Sequence, residues 1–235
     1  MATLAQLRER TRKFINQPET NSDFTNDELN QLIYEGVVFL SVLIKWPRDI
    51  MSVPVSQGFD VYTLPQDNLL ILDAFYGNTD KVNDVKPLKI LPISTLKERV
   101  PSWLDNTADS QGEPIYLSLL DRQSVIVKPT PNADAVTNSR KLILQYIYYP
   151  ATLSNDGDIP DLPLAYHDQL PYYASHLAYA GKLNNSAKSA ELLNMVLGKV
   201  KALEPPITKE TETRGFEFGS YDDPNTDSGL EIDPR

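Results

Sequence analysis

Residues 159–204 read IPDLPLAYHDQLPYYASHLAYAGKLNNSAKSAELLNMVLGKVKALE, and their periodicity decides the fold class. Tyr166, Leu170, Tyr173, Leu177 and Ala180 recur at i, i+4, i+7, i+11 and i+14, a spacing that gathers apolar side chains along one side of an α-helix. Ala190, Leu193, Leu197, Val200 and Leu203 repeat nearly the same period beyond Asn184, Asn185 and Ser186. Two helices with one apolar stripe each, joined by a short polar turn, predict a helical hairpin. No reactive group stands out in it; the stretch is suited to packing and assembly.

The N-terminal residues supply helices for that hairpin to pack against. Over residues 3–16, Thr3 with Gln6 predicts a capping box, and Leu4, Leu7, Thr11 and Phe14 or Ile15 mark the buried side. Over residues 25–46, Thr25 with Glu28 predicts a second capping box, spanned by a hydrophobic staple of Phe24 and Leu29. Leu29, Leu32, Ile33, Val37, Leu40 and Ile44 then form one stripe. Pro47 is expected to stop this helix, because it cannot donate and disfavours helix in the residue before it.

Between Asp49 and Tyr149 the hydrophobic period falls from near 3.6 to near 2. Residues 50–55, 59–63, 69–76, 86–91, 115–119, 124–128 and 142–148 are rich in Val, Ile, Leu and Tyr and bounded by Gly, Pro, Asn or Asp, so they predict strands. Asp121, Arg122 and Gln123 predict a hairpin turn. Pro92 to Val100 suggests one or two helical turns with Ser94 as cap, and 105–112 an exposed polar loop. The predicted class is therefore α+β: a helical bundle from the N- and C-terminal helices, a central antiparallel β-domain and an extended C-terminal tail. The divisions fall at 1–48, 49–150, 151–204 and 205–235.

Composition narrows the function. The chain is long enough, at 235 residues, for a real core, and its formal charge of −10 argues against a protein that grips nucleic acid by its phosphates. The same charge suits a surface that nucleic acid slides past. No cysteine is present, which removes disulfides, thiolate nucleophiles and Cys-based zinc sites. The opening MATLAQLRERTRKF is charged and periodic, unlike a signal peptide, and the longest apolar run, Val37 to Ile44, is too short for a bilayer span. A soluble protein made in the cytoplasm, with no membrane partner, is expected.

A search for chemistry returns little. His167 and His176 are nine residues apart on one predicted helix, so they point to different faces and cannot share a metal. His167-Asp168 looks like a fragment of a relay, but adjacent helical residues do not face each other and no G-x-S-x-G motif exists. Both histidines read as structural. Asp156, Asp158 and Asp161 sit in an oxygen-rich loop that lacks EF-hand spacing, and read as a turn leading into a helix. Arg8, Arg10, Arg12 and Lys13 on the first helix, with Glu9 among them, suit a solvated face or one that meets acidic neighbours, with a phosphate-contacting patch as the sharper reading. No catalytic, cofactor-binding or metal-ligating residue is assigned, and no cofactor is expected.

Residues 205–235 hold eight acidic and three basic residues, half of the chain's excess charge, together with several Pro and Gly. Such a tail cannot bury enough apolar surface to fold alone. Phe216, Phe218 and Tyr221 lie within it at short spacing, so it reads either as a solvated tail or as an arm that orders on a partner with those aromatics as anchors.

The order of these pieces carries a family resemblance over residues 1 to about 203. An N-terminal helical pair ends in Trp46-Pro47, followed by Tyr62-x-Leu64-Pro65-x-Asp67 and an apolar strand. Pro87-Leu88, Gly112-x-Pro114-x-Tyr116, Val127-x-Pro129-x-Pro131 and Leu144-x-Tyr146 follow, and Leu162-Pro163-x-x-Tyr166-His167 with Leu170, Tyr173 and Ala174 leads into the last helix. In this the chain resembles the head-to-tail adaptor, or connector, proteins of tailed bacteriophages, in the group that includes tail tubular protein A.

The resemblance implies a structural, non-enzymatic virion protein at the head–tail junction, made in the host cytoplasm. Proteins of this kind form a homo-oligomeric ring, usually a dodecamer, beneath the portal, extending the DNA channel and offering a docking surface to the tail or nozzle protein. DNA passes through without specific binding. Carried over, residues 25–46 and 166–203 fall in the ring wall, with Leu40, Tyr166, Tyr173, Leu177 and Leu197 as its residues. Residues 205–235 become the portal-binding arm, anchored by Phe216, Phe218 and Tyr221. Another tail component, such as a tail terminator or nozzle protein, is the alternative, and an enzyme or small-ligand binder a third reading.

Overall fold

Thr3 and Thr25 open the two N-terminal helices by the same device. Each hydroxyl accepts from the backbone N–H three residues on, and the side chain there, Gln6 or Glu28, accepts from the cap's own N–H. Helix α1 spans Leu4–Ile15 and α2 spans Asn26–Ile44. The second ends before Pro47 exerts its effect: Lys45 adopts φ 54°, the left-handed conformation, and the Trp46 N–H returns to the Ser41 carbonyl at 2.8 Å. The computed structural model describes residues 2–18, 23–78, 84–105 and 107–203.

The middle of the chain forms strands β1 (Arg48–Pro54), β2 (Val61–Thr63), β3 (Asn68–Gly77), β4 (Lys86–Pro87) and β5 (Lys89–Ile90), helix α3 (Ile93–Arg99), strands β6 (Gln111–Gly112), β7 (Tyr116–Leu119), β8 (Ser124–Lys128) and β9 (Thr130–Pro131), helix α4 (Ala133–Thr137) and strand β10 (Lys141–Tyr148). One sheet has the order β1-β10-β3-β4 and is antiparallel throughout; a second has the order β2-β8-β7-β5. Strand β7 meets β8 antiparallel across the turn expected at Asp121–Gln123. The sheets share one core, with Ile71, Ala74, Tyr76, Leu142 and Leu144 from the first against Tyr62, Leu117, Val125 and Val127 from the second.

Three expectations need correction here. The single strand predicted over 86–91 is split: β4 joins the first sheet beside β3, β5 pairs in parallel with β7 in the second, and buried Leu88 between them donates its N–H to Ala74. This segment therefore sews the two sheets together. Helix α3 is preceded by Pro92 with no side-chain cap, so Ser94 lies inside the helix rather than before it. The sequence pattern predicts no helix at α4, although Asn132 caps it by accepting from the Asp134 N–H. At the end of β3, a Cβ on Gly77 would overlap the Asp84 carbonyl oxygen, so the chain crossing there requires glycine.

One charged pair is buried in this part. Lys128 Nζ lies 2.6 Å from Asp60 Oδ2, with the two side chains only 2% and 10% exposed. Lys128 also reaches Thr130 Oγ1 at 3.1 Å and the Asp105 carbonyl at 3.4 Å, so it ties β2, β8 and the loop after α3 to one point.

A 3₁₀ turn at Leu164–Gln169 then runs into α5 (Leu170–Ala180), which carries Pro171 in its first turn where a missing N–H costs nothing; α6 (Ser186–Leu203) folds back along it. Helix α5 touches α1, α2 and α6. Ala2, Leu4, Leu7, Leu40, Leu170, Val196 and Val200 pack together at one end of the bundle, and Ile15, Phe24, Leu29 and Ala178 at the other. Hence α1 runs with α5, while α2 and α6 run against it.

The predicted hairpin is present, but both stripes are rotated. The buried residues of α5 are Leu170, Pro171, Ala174, Ser175 and Ala178, and those of α6 are Ser189, Leu192, Val196 and Val200. Small residues on α5 let neighbouring helices approach closely, which leaves the larger Tyr173 and Leu177 at the seams between helices. Leu197 is 39% exposed because α6 buries only a narrow strip.

Candidate functional site: the assembly surfaces

The basic face of α1 is met by acids of the same chain. Arg8 pairs with Asp156, Arg10 with Asp168 at 2.5 Å, and Lys13 with Glu9 at 2.6 Å. The loop carrying Asp156 and Asp158 also receives the first N–H groups of the helix: Leu4 donates to the Asp158 carbonyl and Ala5 to that of Asp156. The Asp158 carboxylate accepts from the N–H groups of Asn155 and Ser154, which hold its carboxyl below the usual carboxylate range. These are the bonds of a turn leading towards a helix. Among the described residues no group of three or more His, Cys, Asp or Glu side chains is arranged to hold a metal.

Both histidines serve packing. His167, buried, bonds through Nε2 to the Leu162 carbonyl at 2.9 Å. His176 Nδ1 lies 3.0 Å from the Ser189 carbonyl and 2.8 Å from its hydroxyl, which joins α5 to α6.

The flanks of α5 form two unlike aromatic seams. On one, Tyr172 stacks on Phe14 of α1 with ring centroids 4.5 Å apart, and Lys199 of α6 sits 4.0 Å over the Tyr172 ring. On the other, Tyr173 stacks on Phe39 of α2 at 4.4 Å and tilts against His176. Gly36 makes this close approach possible, since a Cβ there would lie 3.2 Å from Tyr173 Cδ1. Leu177 follows one turn beyond Tyr173. Helical periodicity puts Leu193 and Leu197 on the flank of α6 away from Lys199. Val42 and Trp46, about two-fifths exposed, continue the apolar surface at the end of α2.

Four of the five expected wall residues are accordingly half-buried or exposed: Tyr166, Tyr173, Leu177 and Leu197. Leu40 is fully buried in the bundle core and presents nothing outward. The sequence pattern does not announce the α1 seam of Phe14, Tyr172 and Lys199, since it marks Phe14 only as a possible core position. Phe216, Phe218 and Tyr221 lie outside the described residues.

A family model described as SU10 adaptor protein matches residues 2–204. The chain belongs to the SU10 adaptor protein family. No curated protein matches it. Membership bears out the phage adaptor resemblance and makes the chain a structural adaptor of the virion. The match covers both the bundle and the β-part and stops where α6 ends, so the acidic tail lies beyond it. Among the described residues no helix is long and apolar enough to cross a membrane.

Proposed function

We propose that this adaptor forms a closed ring that joins the capsid portal to the tail and extends the DNA channel, with the helical bundle as the ring wall. The observation that carries this reading is the pair of unlike seams on α5. A ring closes through heterologous contacts, in which one patch of a subunit meets a different patch on the next. The Tyr173–Phe39 seam supplies an apolar patch, the Phe14–Tyr172–Lys199 seam supplies a mixed one elsewhere on the bundle, and Leu197 adds an exposed apolar side chain on the flank of α6 away from Lys199. Twelve copies is the expected ring order, from the family resemblance. The tail, residues 205–235, reaches the portal and uses Phe216, Phe218 and Tyr221 as anchors. Part of the −10 charge faces the channel, where it repels DNA phosphates and reduces sticking.

The test is the mass of the purified chain, alone and mixed with a portal ring, by native mass spectrometry or light scattering. A stoichiometric ring on the portal, lost when residues 205–235 are deleted although the shortened chain still folds, is the expected result. A chain that ignores the portal and binds tail protein instead would make it a tail terminator or nozzle component.

A further inference from the structure

Arg12 differs from the other basic residues of α1. It is only 9% exposed, and among the described residues no carboxylate pairs with it. Its Nη2 donates to the Phe24 carbonyl at 3.2 Å and to Asn26 Oδ1 at 2.8 Å, both neutral acceptors, while Nη1 is shielded from solvent and lacks a partner. A guanidinium so placed is destabilising unless a negative charge comes near. Arg12 forms part of the wall of an open groove of about 820 Å³ that runs along α1, with Arg8, Lys13, Asn16 and Gln17, and is bordered by Asn26 of α2 and by Asp156. The groove's own acids, Glu9 and Asp156, are already paired with Lys13 and Arg8.

The chain carries a matching charge beyond its last described helix. Residues 222–233 contain Asp222, Asp223, Asp227, Glu231 and Asp233 and no basic residue. Val200, in the last turn of α6, shares a core with Leu4 and Leu7 at the start of α1. Arg12 lies about 12 Å further along that helix. By the scaling of a random coil, roughly 25 residues span about 25–30 Å, enough to pass round the bundle, and tethering makes the effective concentration about millimolar.

We propose that in the free subunit this groove seats the chain's own acidic tail, with a carboxylate from residues 222–233 compensating Arg12 and Lys13 and Arg8 beside it. A tail held there is not available to a portal, so attachment to a portal releases it. The inference concerns the free subunit and is independent of the ring reading; a chain that formed no ring would keep this seat.

The test uses the full-length chain and a carbodiimide, which joins an amine to a carboxylate in contact with it. Lys13 is the reporter, and its link to Glu9 shows that it is reactive. The expected result is a second link, from Lys13 to an acid within 222–233, that falls severalfold between about 50 mM and 500 mM salt. An equal mixture of unlabelled and nitrogen-15-labelled chains places that link within one copy. A second measurement leaves every described residue intact: changing the five tail acids to their amides should lower the melting temperature by about 2–4 °C. Lys13 linked only to Glu9 or Glu19, tail links found only between differently labelled copies, or an unchanged melting temperature would each overturn the proposal.

Discussion

Lys128 ends a strand, where a lysine ordinarily marks the return to solvent. Here it is buried, and its carboxylate partner Asp60 lies far away in sequence. The charge is tolerable because Nζ is bonded by Asp60, Thr130 and the Asp105 carbonyl together. Removing one partner strands the other. Lys128→Met or Asp60→Asn should each lower the unfolding free energy, the lysine change by about 3–5 kcal/mol, measured from urea midpoints. Replacing both with apolar residues of similar volume should recover most of the loss. A single substitution within 0.5 kcal/mol of the natural chain would mean that the pair is hydrated and does not hold the loop. No local pattern announces such a contact, which is why sequence reading identified the strand and missed the pair.

Local chemistry is what made the elements legible. Thr3 with Gln6 and Thr25 with Glu28 marked the start of α1 and α2, because a capping box is complete within four residues. Lys182 strengthens the second box by pairing with Glu28 at 2.5 Å; that bond first, then the Thr25 N–H, holds the Glu28 carboxyl below its ordinary range. The rotated stripes of α5 and α6 show where periodicity stops. It says that a helix has an apolar side, but the deepest positions depend on how many helices pack against it. Segment 86–91 divides between two sheets for a similar reason, since pairing partners are chosen in three dimensions. At the element scale the sharpest test is Gly36, on which Tyr173 and Leu170 close. Gly36→Leu should separate α2 from α5 and cost about 1–3 kcal/mol, read as a lower melting temperature with loss of the near-ultraviolet signal of the Phe39–Tyr173 stack. An unaltered melting curve would show that the helices approach less closely than described.

At the scale of the whole molecule, the β-part and the bundle have separate cores. The chain passes between them after α2 and again after β10, where Tyr34 donates to the Pro150 carbonyl at 3.2 Å. Bundle-surface changes can therefore affect assembly without disturbing the β-part. Leu197, 39% exposed, and Leu192, 4% exposed, lie on the same helix and separate the two roles. Leu192→Asp should unfold the bundle. Leu197→Asp should leave the melting temperature within about 1–2 °C, since partly exposed positions contribute little to stability, yet abolish the ring on a portal. Mixing then tests how the ring closes. In a heterologous ring a Leu197→Asp subunit keeps one intact side, so it joins a growing arc and stops it. Ring yield on the portal should then fall far more steeply than the fraction of altered subunits, with short arcs appearing in native mass spectra. A yield proportional to the natural subunits present would mean that altered copies never enter the assembly, and would remove Leu197 from the contact between neighbours.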